Sequence, residues 1–102
     1  MNDIYIDEHI VQKSIEKWGI EPQTRQAMEE CGELIRAANK NLCGKRDDYH
    51  LAEEIADVAI CLQMLCQIWQ IDEIEVQKWI DKKQCRTHER IHTEGKGKEN
   101  EH

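Results

Sequence analysis

Leu51-Ala52-Glu53-Glu54-Ile55-Ala56-Asp57-Val58-Ala59-Ile60-Cys61-Leu62-Gln63-Met64-Leu65 decides how this chain is read. Between Ile55 and Trp69 the strongly polar residues are Asp57, Gln63 and Gln67, so a helix here is expected to be buried on most sides and to form the core. A carboxylate inside such a helix needs a compensating partner, because an unpaired charge is costly to remove from water. Residues three apart project from one helix face, so Glu54 and Asp57 form a pincer of oxygen donors. The same spacing recurs upstream in Glu29-Glu30-Cys31-Gly32-Glu33, where Glu30 and Glu33 make the second pair. In a chain with 21 acidic residues among 102, spacing alone is weak evidence, and the apolar setting carries the inference. Glu29 and Glu53 read equally well as solvent-facing acids. Four carboxylates brought together would repel and take up protons unless a cation neutralised them, and oxygen-only ligands suit a hard ion such as Mg²⁺.

Working outward, Asp47 or Asp48 caps this third helix, which is expected to reach about Gln70. Before it, Pro22 suits the first turn of a helix carrying Ala27, Cys31, Leu34, Ile35, Ala38 and Leu42 at helical spacing, with Gly44 as its stop. A first helix is expected over about 7–18, with Val11, Ile15 and Trp18 on one stripe and Gly19 ending it. Asp72 and Glu75 have the spacing of a capping box and open a fourth helix bearing Ile74, Trp79 and Ile80, expected to fray near His92. No strand pattern and no internal repeat is present. The fold class is therefore all-α, an antiparallel four-helix bundle in which the second and third helices form a hairpin that joins the two acidic clusters. The domain is expected over 1–92, with a disordered tail over 93–102.

A chain of 102 residues gives one small core, so self-association is expected. Phe is absent, and the formal charge of −7 argues against nucleic acid or an anionic membrane surface as partner. No apolar run is long enough to span a bilayer. Five cysteines without CxxC or disulfide-framework spacing read as reduced thiols, and the N-terminus has no secretory leader pattern, so the expected compartment is the cytoplasm.

The words around the acids resemble a known family. Glu29-Glu30-x-x-Glu33, twenty residues, then Glu54-x-x-Asp57 is similar to the EExxE…ExxD signature of the MazG-like, all-α nucleoside triphosphate pyrophosphohydrolases. "QAMEECGELIRAANK" and "LAEEIADVAICLQML" look like that family's second and third helices, and Lys83-x-x-Arg86-x-x-x-Arg90 resembles the basic pattern of its last helix. The resemblance implies Mg²⁺ bound by Glu30, Glu33, Glu54 and Asp57, hydrolysis of a (deoxy)nucleoside triphosphate to the monophosphate and pyrophosphate, and assembly as dimers or tetramers. With a single copy of the motif, the chain resembles the short, single-domain branch.

Further roles follow from placement. Glu29 lies about 40° around the helix from Glu33, and these two are the catalytic candidates, with Glu29 orienting a water or acting as general base. Lys83, Arg86 and Arg90 share one side of the last helix and are candidates for neutralising the polyphosphate, against the simpler role of complementing the helix dipole. Trp18, beside the turn into the first acidic cluster, is the stacking candidate, whereas Trp69 and Trp79 read as core. His88 and His92 have metal-pair spacing but no third ligand, and read as surface residues. The alternative function is a non-enzymatic helical oligomer or interaction module that binds a partner, its acids forming inter-helix salt bridges with residues such as Lys40 and Arg36. A di-iron bundle is ranked last, because neither cluster supplies the Glu-x-x-His element. Pyrophosphohydrolysis of a phosphoribosyl-nucleotide fits the acids without supporting words elsewhere.

Overall fold

The structure, a computed structural model, describes residues 3–98, with side chains over 3–93. Its helices are α1 (Glu8–Trp18), α2 (Ile20–Leu42), α3 (Asp48–Trp69) and α4 (Glu73–Lys98), and among the described residues there is no strand. The all-α class is the one expected. The chain divides into two compact units, Met1–Gln70 and Ile71–His102, and α4 is the helix of the second.

Local chemistry explains where the helices of the first unit begin and end. Asp7 caps α1, its side chain accepting from the backbone N–H groups of His9 and Ile10. Gly19, at φ 94°, separates α1 from α2 in a single residue. The second helix therefore starts at Ile20, earlier than Pro22 predicted, and Pro22 sits within its first turn, where a missing N–H costs nothing. At the far end, Gly44 at φ 92° lets the chain close a paired C-terminal hydrogen-bond motif. Its N–H donates to the Asn41 carbonyl, and the Lys45 N–H donates to the Lys40 carbonyl at 2.9 Å. Asn41 fastens the turn from the other side. Its Oδ1 accepts from the Asp47 N–H and its Nδ2 donates to Asp48, while Asp47 caps α3 through the His50 N–H. Gln70 in the left-handed region closes α3.

α3 packs along α2, and α1 lies against both. Val11, Ile15, Ala27, Cys61 and Met64 form the core, backed by Ile6, Leu65 and Ile68. Gln67 ties α3 to α1 by donating to the Glu8 carbonyl and to Gln12, and Gln23 reaches the Ser14 carbonyl from α2. The expectation that α3 is buried on most sides needs correction. Ile55, Ile60, Leu62 and Trp69 are exposed, because two neighbours in this unit cover only one side of a helix. Trp69 and Trp79, read as core, are likewise about half exposed.

In the second unit, Asp72 accepts from the Ile74 N–H as a cap should, but Glu75 pairs with Lys78. α4 continues past His92 to Lys98, beyond its expected end. The expected disorder at 99–102 lies outside the described residues. Among the described residues no helix is long and apolar enough to cross a membrane.

Candidate metal centre

The facing sides of α2 and α3 carry three zones in succession. One end is the core around Ala27, Cys61 and Met64. The acids follow, and the stripe ends in small and basic residues beside the turn. Helical spacing sets this order, since Glu54, Asp57, Cys61 and Met64 step along one face of α3 while Ala27, Glu30, Glu33 and Ala37 step along the opposing face of α2. Because the helices run antiparallel, the first acid cluster meets the second.

Glu30, Glu54 and Asp57 each offer a carboxylate oxygen to a group whose members all lie within 4.8 Å of one another. Glu54 is the buried member, with 7% of its surface exposed, and its Oε1 has no hydrogen-bond partner. Burial pushes its carboxyl above the ordinary glutamate range. Nearby His50 pulls the other way, and the charges of Asp57, Glu30 and Glu33 push it up further. A buried acceptor left unmatched among like charges is the environment a cation would complete.

The surrounding side chains hold this arrangement. Gln26 donates to Glu30 Oε2 at 2.6 Å, fixing one oxygen of that carboxylate. Glu33 takes a 2.6 Å ion pair from Arg36 of its own helix, so its carboxylate stands close to Glu54 but outside the converging group. Of the inter-helix pairings expected for a purely structural role, neither is seen among the described residues: Arg36 pairs with Glu33 within α2, and no carboxylate lies within ion-pair distance of Lys40. Beneath the acids, burial first and then the charges of Glu30, the nearby Cys31 and Asp57 push the Cys61 thiol up to about 11, which keeps it protonated at neutral pH.

The structure also brings in a residue the sequence reading missed. His50 stands 3.7 Å from Glu54 through Nε2 and 3.8 Å from Glu53 through Nδ1, and these three form a second group with donor atoms within 4.8 Å. Its signal was available, since His50 lies one helical turn before Glu54 and shares its face. Both separations are too long for hydrogen bonds.

The other predicted residues are placed more openly. Glu29 is exposed on α2. Trp18, 58% exposed, ends α1 with the Lys17 ammonium 5.9 Å from its ring centroid. Lys83, Arg86 and Arg90 are exposed on α4, where Lys83 also lies 5.8 Å from the Trp79 ring. His88 and His92 are exposed, with their rings tilted by 53° and their centroids 4.2 Å apart.

No curated protein and no solved structure matches the chain. Residues 20–91 match the MazG nucleotide pyrophosphohydrolase domain, a span that contains both acidic clusters and the hairpin joining them. With the match covering most of its length, the chain belongs to the MazG nucleotide pyrophosphohydrolase family.

Proposed function

We propose that this protein hydrolyses a (deoxy)nucleoside triphosphate to the monophosphate and pyrophosphate, with Mg²⁺ held by Glu30, Glu33, Glu54 and Asp57. The observation that carries the reading is the buried, unmatched Glu54 Oε1 within the converging carboxylates. An all-oxygen donor set fits a hard divalent ion. Once bound, such an ion supplies charge neutralisation for the phosphate oxygens and the departing pyrophosphate. For Glu33 to join the set, its carboxylate leaves Arg36, an exposed pair that holds it weakly.

In the reaction a water oxygen bonds to the α-phosphorus and the bridging bond to the β-phosphate breaks, the electron pair leaving with pyrophosphate. Glu29, with Glu33 beside it, orients that water and accepts its proton. Lys83, Arg86 and Arg90 neutralise polyphosphate charge, and Trp18 stacks on the base. The overall charge of −7 suits a small metal-escorted anion better than a nucleic acid or an anionic membrane. The working form is a homodimer or homotetramer in the cytoplasm. Exposed Met28, Ile35 and Leu42 on α2, seven residues apart, support the association.

The test is a panel of ribo-, deoxy- and modified triphosphates with Mg²⁺, scored for monophosphate plus pyrophosphate. Glu30→Gln and Asp57→Asn are each expected to cut turnover at least a hundredfold, or about 2.7 kcal/mol of barrier, and a chelator to abolish it. Full activity in either variant or in chelator overturns the assignment.

A further inference from the structure

Beyond the acids, the groove between α2 and α3 opens into a cleft of about 490 Å³ at the turn. Lys40, Lys45 and Arg46 line it, together with Ala37, Asp47 and His50. In a chain with formal charge −7, three cations on one cleft are a local reversal of sign. Arg46 is matched by Asp48 at 3.0 Å, and Asp47 is occupied as the cap of α3. Lys40 and Lys45 have no carboxylate within ion-pair distance among the described residues. The surplus positive charge of the cleft is theirs.

Their juxtaposition is built into the backbone. The hydrogen bond from the Lys45 N–H to the Lys40 carbonyl holds the two residues together, and the positive φ of Gly44 permits it. The cleft adjoins the acid centre at His50, which lines the cleft and stands 3.7 Å from Glu54. Along α2, Lys40 lies two helical turns beyond Glu33, a rise of about 10 Å. A flexible lysine side chain spans much of that distance.

We propose that this cleft receives the pyrophosphate portion of the substrate, with Lys40 and Lys45 as binding residues for the two phosphates that leave. The inference rests on the metal-centre reading above and deepens it. Within the Met1–Gln70 unit, an extended triphosphate with its α-phosphorus at the carboxylates meets cations for its remaining phosphates along the groove. Toward the core that groove is apolar, and toward the turn it is cationic. The direction of the substrate follows from that asymmetry.

The experiment is calorimetric titration of the full-length chain with Mg²⁺ alone and with inorganic pyrophosphate in saturating Mg²⁺. The wild type is compared with a Lys40→Gln/Lys45→Gln double variant and with Lys13→Gln/Lys78→Gln, which removes equal charge elsewhere. Helix content by circular dichroism shows that all three are folded. The cleft variant is expected to bind pyrophosphate at least about tenfold more weakly, the loss of one or two charge-assisted contacts, while binding Mg²⁺ within twofold of wild type. The control variant is expected to keep its pyrophosphate affinity. Unchanged pyrophosphate affinity in the cleft variant, equal losses in both variants, or no pyrophosphate binding by the wild type overturns the proposal. If the wild type hydrolyses triphosphates while the cleft variant binds pyrophosphate normally, only the cleft assignment fails. If the wild type neither binds Mg²⁺ nor turns over any triphosphate, the underlying reading fails.

Discussion

Glu54 is a buried carboxyl set among other acids. Its carboxyl is held above the ordinary value of 4.5, chiefly by burial. Between the unfolded and folded titrations the folded state holds the proton more tightly, so unfolding free energy falls as pH rises through that window. Glu54's contribution is fully present below about 4.5 and is lost above the folded value. Without metal, Glu54→Gln is therefore expected to melt higher than the wild type at neutral pH, with the gap closing on acidification. Mg²⁺ should then raise the melting temperature of the wild type and not that of the variant. Thermal melts at several pH values in chelator and in Mg²⁺ check both, and a variant less stable than wild type at neutral pH would refute the account. At this scale the sequence was partly legible. An acid in an apolar helix announces itself, so Glu54 and Asp57 were found, and helical spacing brought in Glu30. Arg36 was legible as a partner for the acids, but not that it would pair with Glu33 within α2 and draw that carboxylate aside, because rotamers of exposed pairs are decided by local competition. His50 was not legible as part of the group, because a lone histidine in the first turn of a helix carries no ligand pattern beyond its one-turn spacing to Glu54.

At the level of the element, the turn between α2 and α3 fixes where the acids meet. Gly44 at φ 92° has no atom within 4 Å of where a Cβ would stand, so substitution there meets no steric obstacle. Its cost is conformational. Gly44→Ala is expected to lower stability by about 1–2 kcal/mol, read as a reduced midpoint in urea with an unchanged slope. A shift below a few tenths would show that the turn tolerates the left-handed strain. Helix ends with a side-chain cap or a glycine were readable, as at Gly19, Asp47 and Gly44. The start of α2 was misplaced because Pro22 marks a first turn without marking its first residue. The end of α4 was placed too early, since its last residues carry no apolar face to announce a helix.

For the molecule as a whole, the apolar residues left in water matter most. Met28, Ile35 and Leu42 lie on the far side of α2 from Glu30 and Glu33, and Ala38, Leu42, Leu51, Ala52 and Ile55 line an open apolar groove of about 580 Å³. Surface of that kind on a small helical chain fits contact with a second copy. Ile35→Glu with Leu42→Glu is expected to convert the oligomer to monomer, measured by sedimentation or light scattering, while helix content stays unchanged. A wild type that sediments as a monomer at tens of micromolar would contradict this. Composition already hinted at association, but it could not say which face stays open. That depends on how few helices of the Met1–Gln70 unit pack around α3.

The hairpin also places a rule on chain length. From Glu33 the chain climbs α2 to Leu42, reverses at Gly44, and descends α3 to Glu54. One residue added within either arm turns everything beyond it by about 100° and carries one acid off the shared face. Two whole turns, one in each arm, restore the alignment and move the lysines at the bend one step farther from the carboxylates. The interval between the two acidic words is therefore quantised. It lengthens in steps of about seven residues unless the bend itself absorbs the difference.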